Sequence, residues 1–377
     1  MSNKRQGRDG EDQRGGGGDK RRSRPVRRKH LYLVLDDWNK GFTIHKIDAD
    51  NFHFDSGDRH DAPMGFLPES PALRLESPVG TVPHVGMFFA AMGSKIYILM
   101  NQRCALVYDT ETAVLAVGPH APAQMQCGFG ITVPAGETLY ALSYRFFDKQ
   151  HSFEAMSWEP TGSDELLQRP TEGWSWKTLP APPPTFSHNQ LINSYAVHPD
   201  GCTIFMTTAY RDRPGLHVGT FSFNTKNCVW KWHGEWALPF DGQGYFDTEL
   251  DEWVGLHRDG FICSCQVASR SRSLTRIMQL DWRMAKEKLF RKDPDRHLSA
   301  SLTYMGRSKF CLVESVIREG VDMEYPLGDQ NSCALHATIF GLKYNRNGEL
   351  QTTNHQSSAS YIVSRHKDFF SPEAFWM

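Results

Sequence analysis

Eight cysteines, 16 histidines and 43 acidic residues supply the possible ligands, nucleophiles and proton carriers of this 377-residue chain. Their spacing is the first test. Cys263 and Cys265 are spaced C-x-C, so a strand would point both thiols to one face. No second Cys or His pair follows at zinc-site spacing, and core packing is the expectation for both. Asp36-Asp37 and Asp293-Pro294-Asp295 place carboxylates side by side. A carboxylate-pair hydrolase needs its acids to meet across a substrate, so these read as turn and strand-end acids. His188, His198, His217 and His233 lie beside turn-formers and read as hydrogen-bonded loop or strand residues. No Gly-x-Ser-x-Gly elbow, phosphate loop, dinucleotide fingerprint or His-Glu-x-x-His occurs. No catalytic, cofactor-binding or metal-binding residue is assigned, and no cofactor is expected.

Charge is divided unevenly. Residues 1–30 carry a net +7 and the remainder −8, within an overall −1. Met1–His30 contains GGGG and KRRSRPVRRK and almost nothing apolar, too little burial to offset chain entropy, so a disordered basic tail is expected. Lys20, Arg21, Arg22, Arg24, Arg27, Arg28 and Lys29 form a cluster of the nuclear-localisation type. The same charges could neutralise phosphates, which makes the tail the one expected route to nucleic acid. No run approaches 18 apolar residues, and the N-terminus lacks the apolar core of a secretory signal. A nuclear or cytoplasmic, membrane-free chain with reduced cysteines is expected.

From Leu31 the character changes. LYLVLDD and FTIHKID flank an Asn-Lys-Gly turn and read as a hairpin. Short strand candidates then recur, among them KIYILM, TLYALSY, YAVH, TIFMTT, FICSCQV, FCLVES and SYIVS, separated by turns such as HPDG and NRNG. The best helix signal is RIMQLDWRMAKEKLF, 276–290, with strand plus loop as its alternative. Gly-x-x-x-Tyr/Phe repeats as Gly93…Tyr97, Gly136…Tyr140, Gly201…Phe205 and Gly306…Phe310, and Gly260 opens a similar run. Those steps fit propeller blades with variable loops better than a sandwich. A second pattern, aromatic–Asp/Asn–Thr, marks Tyr108-Asp109-Thr110, Phe223-Asn224-Thr225 and Phe246-Asp247-Thr248 as tight hairpin turns.

Units such as GSKIYIL…LVYDTETAVLAV resemble kelch repeats, although Met92-Gly93 stands where that family has a Gly-Gly doublet. Over the whole chain, LYLVLDDWNKGFTIHKID, YAVHPDGCTIF, GTFSFNTKNCVWKWHGEWALPF, DTELDEWVGL and KLFRKDPDRH resemble a grass-expanded family of kelch-like plant proteins of unknown function. The resemblance implies a β-propeller with no agreed catalytic residues. Kelch-type enzymes do not fit. The copper oxidases need a secretion signal and a recognisable His pair, and the iron site of plant specifier proteins would fall on Glu249…Trp253…His257, where a tryptophan replaces the carboxylate. Only thirty residues precede Leu31, too few for an F-box.

The expected architecture is therefore all-β: a single kelch-like propeller over 31–377, six-bladed with seven as the alternative, whose first and last strands share a blade. The aromatic stretch Gly219–Trp236 becomes a blade hairpin. Phe221 and Phe223 share one strand face, Asn224–Asn227 turns, and Cys228, Trp230 and Trp232 share a face of the return strand, packed on the next blade. The expected function is protein–protein interaction by a monomeric scaffold, its partner protein unknown. Contacts are expected from the long insertions Asp55–Pro71, Asp148–Pro184 and Ile317–Ser332. The alternatives are a small-molecule enzyme at the central channel, marked by converging titratable groups, or nucleic-acid contact through the tail.

Overall fold

The computed structural model describes residues 28–54, 64–77, 87–100, 104–125, 130–144, 151–158, 173–183, 190–210, 212–213, 216–268, 280–290, 293–322, 327–353, 357–368 and 370–377. Its strands group into six four-stranded antiparallel units, the blades of a β-propeller. From the axis outward, blade 1 is Glu373–Trp376, Leu31–Trp38, Gly41–Ile47 and Leu73–Glu76. Blade 2 is Met87–Met92, Lys95–Met100, Cys104–Asp109 and Val114–His120. Blade 3 is Ile131–Ala135, Thr138–Tyr144, His151–Trp158 and Trp174–Thr178. Blade 4 is Gln190–Val197, Thr203–Tyr210, His217–Asn224 and Val229–Gly234. Blade 5 is Asp241–Asp247, Glu252–Leu256, Phe261–Gln266 and Trp282–Lys288. Blade 6 is His297–Gly306, Lys309–Ile317, Gly328–Tyr344 and Ser357–Arg365. Six blades form the ring, and the alternative count of seven is set aside.

Two devices close it. The C-terminal strand Glu373–Trp376 pairs antiparallel with Leu31–Val34, so both ends of the chain share blade 1. The excursion from blade 1 also sends His53–Phe54 and Gly65–Phe66 across to the outer strand of blade 6. Closure turns the inner strand edges toward the axis, away from other chains.

Burial between blades explains the apolar runs. Each of six buried clusters lies between two neighbouring blades. Leu31, Leu33 and Leu35 pack toward blade 6, while Tyr32 and Val34 pack toward blade 2. A strand covered on both faces needs no polar alternation, hence LYLVL. Cys263 and Cys265 fall together in the cluster between blades 4 and 5, as their shared face requires.

The turn chemistry follows the sequence closely. Asp109 accepts the N–H groups of Glu111 and Thr112, Asn224 those of Lys226 and Asn227, and Asp247 those of Glu249 and Leu250. Thr110 and Thr225 then bond through N–H and hydroxyl to the carbonyls of Ser94 and Cys202, pinning one hairpin to the turn beside it. Gly93, Gly136 and Gly201 have φ of +62°, +62° and +68°, a backbone that side chains rarely adopt. They turn the chain from the inner to the second strand of blades 2, 3 and 4.

Several expectations are corrected. Over 276–290 the alternative of strand plus loop replaces the helix signal: Trp282–Lys288 is a strand at the exposed outer edge of blade 5, paired with Phe261–Cys265; 276–279 lie outside the described residues. Asp36 and Asp37 fall at the end of strand Leu31–Trp38, as strand-end and not turn acids. Asp148–Pro184 is not one insertion, because His151–Trp158 and Trp174–Thr178 are blade strands. Ile317–Ser332 likewise ends in strand from Gly328. Of the tail, Arg28–His30 already joins the propeller: Arg28 pairs with Asp48 at 2.8 Å, and His30 exchanges two backbone hydrogen bonds with Met377.

Candidate functional site

All six inner strands border one axial cavity of about 430 Å3. Phe88 and Phe89 line it from blade 2, Thr132 from blade 3, Tyr195 from blade 4, Gln243 and Tyr245 from blade 5, Thr303 and Tyr304 from blade 6, and Glu373 and Phe375 from blade 1. Backbone pairing sets these positions. Glu373 is opposite Val34 on the closing strand, and Thr303 Oγ1 donates to the Ala374 carbonyl at 2.7 Å, tying blade 6 to that strand. Blades 4 and 5 meet at the axis through a short parallel pairing, Ser194–Ala196 with Gly242–Gly244.

The electrostatics of the channel centre on Glu373. Burial pushes its carboxyl up to about 8, and no cation or hydrogen-bond donor among the described residues offsets that burial. Its charge in turn raises the phenols of Tyr195 and Tyr245, after burial itself. Tyr195 belongs to blade 4, directly across the ring from blade 1. Tyr245 is anchored through its hydroxyl to the Leu302 carbonyl at 2.9 Å. No Lys, Arg or His lines the cavity among the described residues. A single carboxyl near neutrality can hold or release one proton, and with aromatic walls it can receive a cation. The paired acids or activated nucleophile of the common hydrolases are not assembled there.

A second concavity, about 730 Å3, lies between blades 2 and 3. Trp158, half exposed at 50%, and Val114, at 56%, stand open on its walls. Trp174 forms its floor in edge-to-face contact with both Trp158 and Tyr97, centroids 5.4 Å apart in each case. At the rim Lys95 is already paired with Asp109 at 2.9 Å, whereas exposed Glu137 has no ion pair among the described residues.

Of the residues that the sequence singles out, Lys20, Arg21, Arg22, Arg24 and Arg27 lie outside the described residues, as does His188. Lys29 is exposed. His198 pairs with Asp200 at 3.2 Å and His233 bonds Ser222 at 2.7 Å. His217 departs from the expectation: its buried Nδ1 has no partner among the described residues, and it lines a cleft of about 310 Å3 between blades 4 and 5 with Asp241, His257 and Arg258. Trp253 is fully buried and donates its indole N–H to the Val197 carbonyl, while Glu249 is exposed and His257 half-buried, so Glu249…Trp253…His257 is not a ligand run. The aromatic hairpin is blade core: Phe221 packs at a tilt against Trp232 and Phe223 against Trp230. It packs on the preceding blade 3 through Phe153 and not, as expected, on the next one. Glu373 escaped the sequence reading. Its only signal is a lone acid inside the short apolar run EAFW.

Comparison with known proteins adds a family. The model of a family described as "Protein of unknown function (DUF1668)" matches residues 28–361. No curated protein matches the chain. Among solved structures, the β-propeller domain of Myceliophteria thermophila Cps50 (Swd1) is 9% identical with a TM-score of 0.36, each chain being 86% covered. Apo AztD from Citrobacter koseri is 11% identical with a TM-score of 0.36, over 93% of this chain and 99% of that one. The N-terminal domain of Nup159 is 12% identical with a TM-score of 0.27, over 84% of this chain but only 56% of its own.

Proposed function

We propose that the chain, which belongs to the DUF1668 family of proteins of unknown function, is a non-enzymatic scaffold that binds a protein partner in the groove between blades 2 and 3. The open Trp158 at the mouth of that groove carries the reading. An indole left half in water beside exposed Val114 forfeits burial that a partner would supply, and tryptophans at such positions dominate interface energetics. Glu137 adds a negative charge at the rim that no described residue pairs. The fitting partner is a peptide segment with an apolar anchor beside a Lys or Arg. The test compares capture by the full chain, Trp158→Ser and Glu137→Lys, followed by direct titration of each purified candidate. A partner that loses at least about tenfold affinity to both variants supports the assignment, since that corresponds to one modest interface contact. A partner indifferent to both overturns it.

Narrower readings accompany this one. The kelch-like repeat and grass-expanded plant ancestry are proposed from the motif resemblance. Lys20, Arg21, Arg22, Arg24, Arg27, Arg28 and Lys29 are proposed as a nuclear address, with the chain in the nucleus, the cytoplasm or both, and with the tail as the sole nucleic-acid contact of a monomer. No helix among the described residues is long and apolar enough to cross a membrane. Purely cytosolic fluorescence of a tagged full-length chain would reject the nuclear address. Within that cluster Arg28 is paired with Asp48 and Asp50.

A further inference from the structure

The axial channel is a second place, separate from the groove, where chain geometry and chemistry converge. Six strands far apart in sequence bring one carboxyl, several aromatic rings and no basic group to a single cavity. Its volume of about 430 Å3 falls in the range of small-ligand sites. We propose that this channel binds a compact organic cation, its ammonium group held by Glu373 and seated against the rings of Tyr195, Tyr245, Phe88 and Phe375.

The charge balance selects that class. An anionic ligand would meet a carboxylate and no Lys, Arg or His among the described lining residues. A neutral ligand draws no charge attraction from the acid. A cation satisfies the carboxylate and gains the attraction of ring faces, which is larger in a desolvated site. A structural acid would be expected to have a cation or backbone N–H against it. Asp36, for comparison, accepts the N–H groups of His366 and Lys367. Glu373 has no such partner among the described residues.

The channel also makes binding proton-linked. The only titratable groups facing Glu373 from the described lining strands are the phenols of Tyr195 and Tyr245; the hydroxyl of Tyr304 is engaged with Asp247 instead. Blades 2 and 3 contribute none. With the empty-site carboxyl near 8, a cation entering at lower pH must displace one proton from Glu373. Apparent affinity then rises about tenfold per pH unit up to about pH 8 and levels off above it.

Choline is a suitable probe because its charge does not titrate, and 3,3-dimethyl-1-butanol is its uncharged isostere. Calorimetric titration of the full wild-type chain with both, from pH 6 to 9, requires no variant to fold. The expected result is saturable choline binding with the stated pH slope, at least tenfold tighter at pH 8.5 than the isostere, whose binding ignores pH. Glu373→Gln, checked for native near-ultraviolet circular dichroism, should bring choline down to the level of the isostere and remove the slope. Absent choline binding at pH 8.5, equal binding of the two probes, or unchanged choline affinity in folded Glu373→Gln would each overturn the proposal.

Discussion

Asp247 of blade 5 accepts both the N–H and the hydroxyl of Ser308 in blade 6, each at 2.8 Å. The carboxylate is completely buried and also holds its own turn through Glu249 and Leu250. One side chain thus shapes a hairpin and clamps two blades. Removing it leaves buried donors unmet on both sides, and each hydrogen bond to a charged group is worth about 1.5–3 kcal/mol. Asp247→Ala should lose about 3–5 kcal/mol in urea unfolding, in the range for breaking a buried charged contact. Ser308→Ala, which keeps the N–H bond, should lose about 1–2 kcal/mol. A loss below about 1 kcal/mol in Asp247→Ala would deny the clamp.

The two blade-forming patterns were legible to different degrees, and the reasons are local. Asp or Asn before Thr specifies its turn by bonds to N–H groups two and three residues on, so sequence suffices. Gly93, Gly136 and Gly201 likewise mark turns whose φ demands them. Gly306 looks like the fourth member but is not equivalent. It pairs with Lys309, and the turn falls on Arg307 and Ser308, both with φ above +50°. That slip of one residue sends Phe310 toward blade 5, whereas Tyr97, Tyr140 and Phe205 face the following blade. The channel was illegible for another reason. Glu373, Tyr195 and Tyr245 meet only through ring closure, which no sequence spacing encodes.

His233 should titrate far below an ordinary histidine. Burial, then the charge of Lys231, lowers it to about 4, while its Nε2 bonds Ser222 and its ring lies 4.9 Å from Phe205. The unfolded chain takes up this proton near 6.5, and the folded chain does not until about 4. Stability is therefore full above 6.5 and falls as pH drops through that window, by about 1–3 kcal/mol. Imidazole proton shifts should give a midpoint below 5. A midpoint near 6.5 would refute the buried neutral state.

Thiol reactivity should divide the cysteines by burial. Cys202, Cys263, Cys265, Cys311 and Cys333 are buried, whereas Cys104 and Cys228 are partly open. Burial pushes the Cys311 thiol up to about 12 and raises Cys263, Cys265 and Cys333. The thiolate is the nucleophile, so these sites should stay unmodified in the folded chain. With N-ethylmaleimide at pH 7.5, peptide mapping should find Cys104 and Cys228 alkylated before the five buried cysteines, which react only after denaturant; Cys127 lies outside the described residues. Early labelling of Cys263 or Cys265 would contradict their place between blades 4 and 5.

Glu373 should tax the fold as pH rises. Its ordinary value is 4.5 and its folded value about 8, so between these limits the native chain holds a proton that the unfolded chain releases. Below 4.5 both states are protonated and nothing is lost; from 4.5 to 8 stability falls, and above 8 it levels. The side chain keeps partial access to the channel, and water there trims the full linkage penalty to about 1–3 kcal/mol. Glu373→Gln keeps the shape without the titration. Its urea midpoint should match wild type near pH 4 and exceed it at pH 9, the difference opening across that interval. If the two unfold alike at pH 9 in the absence of any added cation, the carboxyl is not held protonated in the channel.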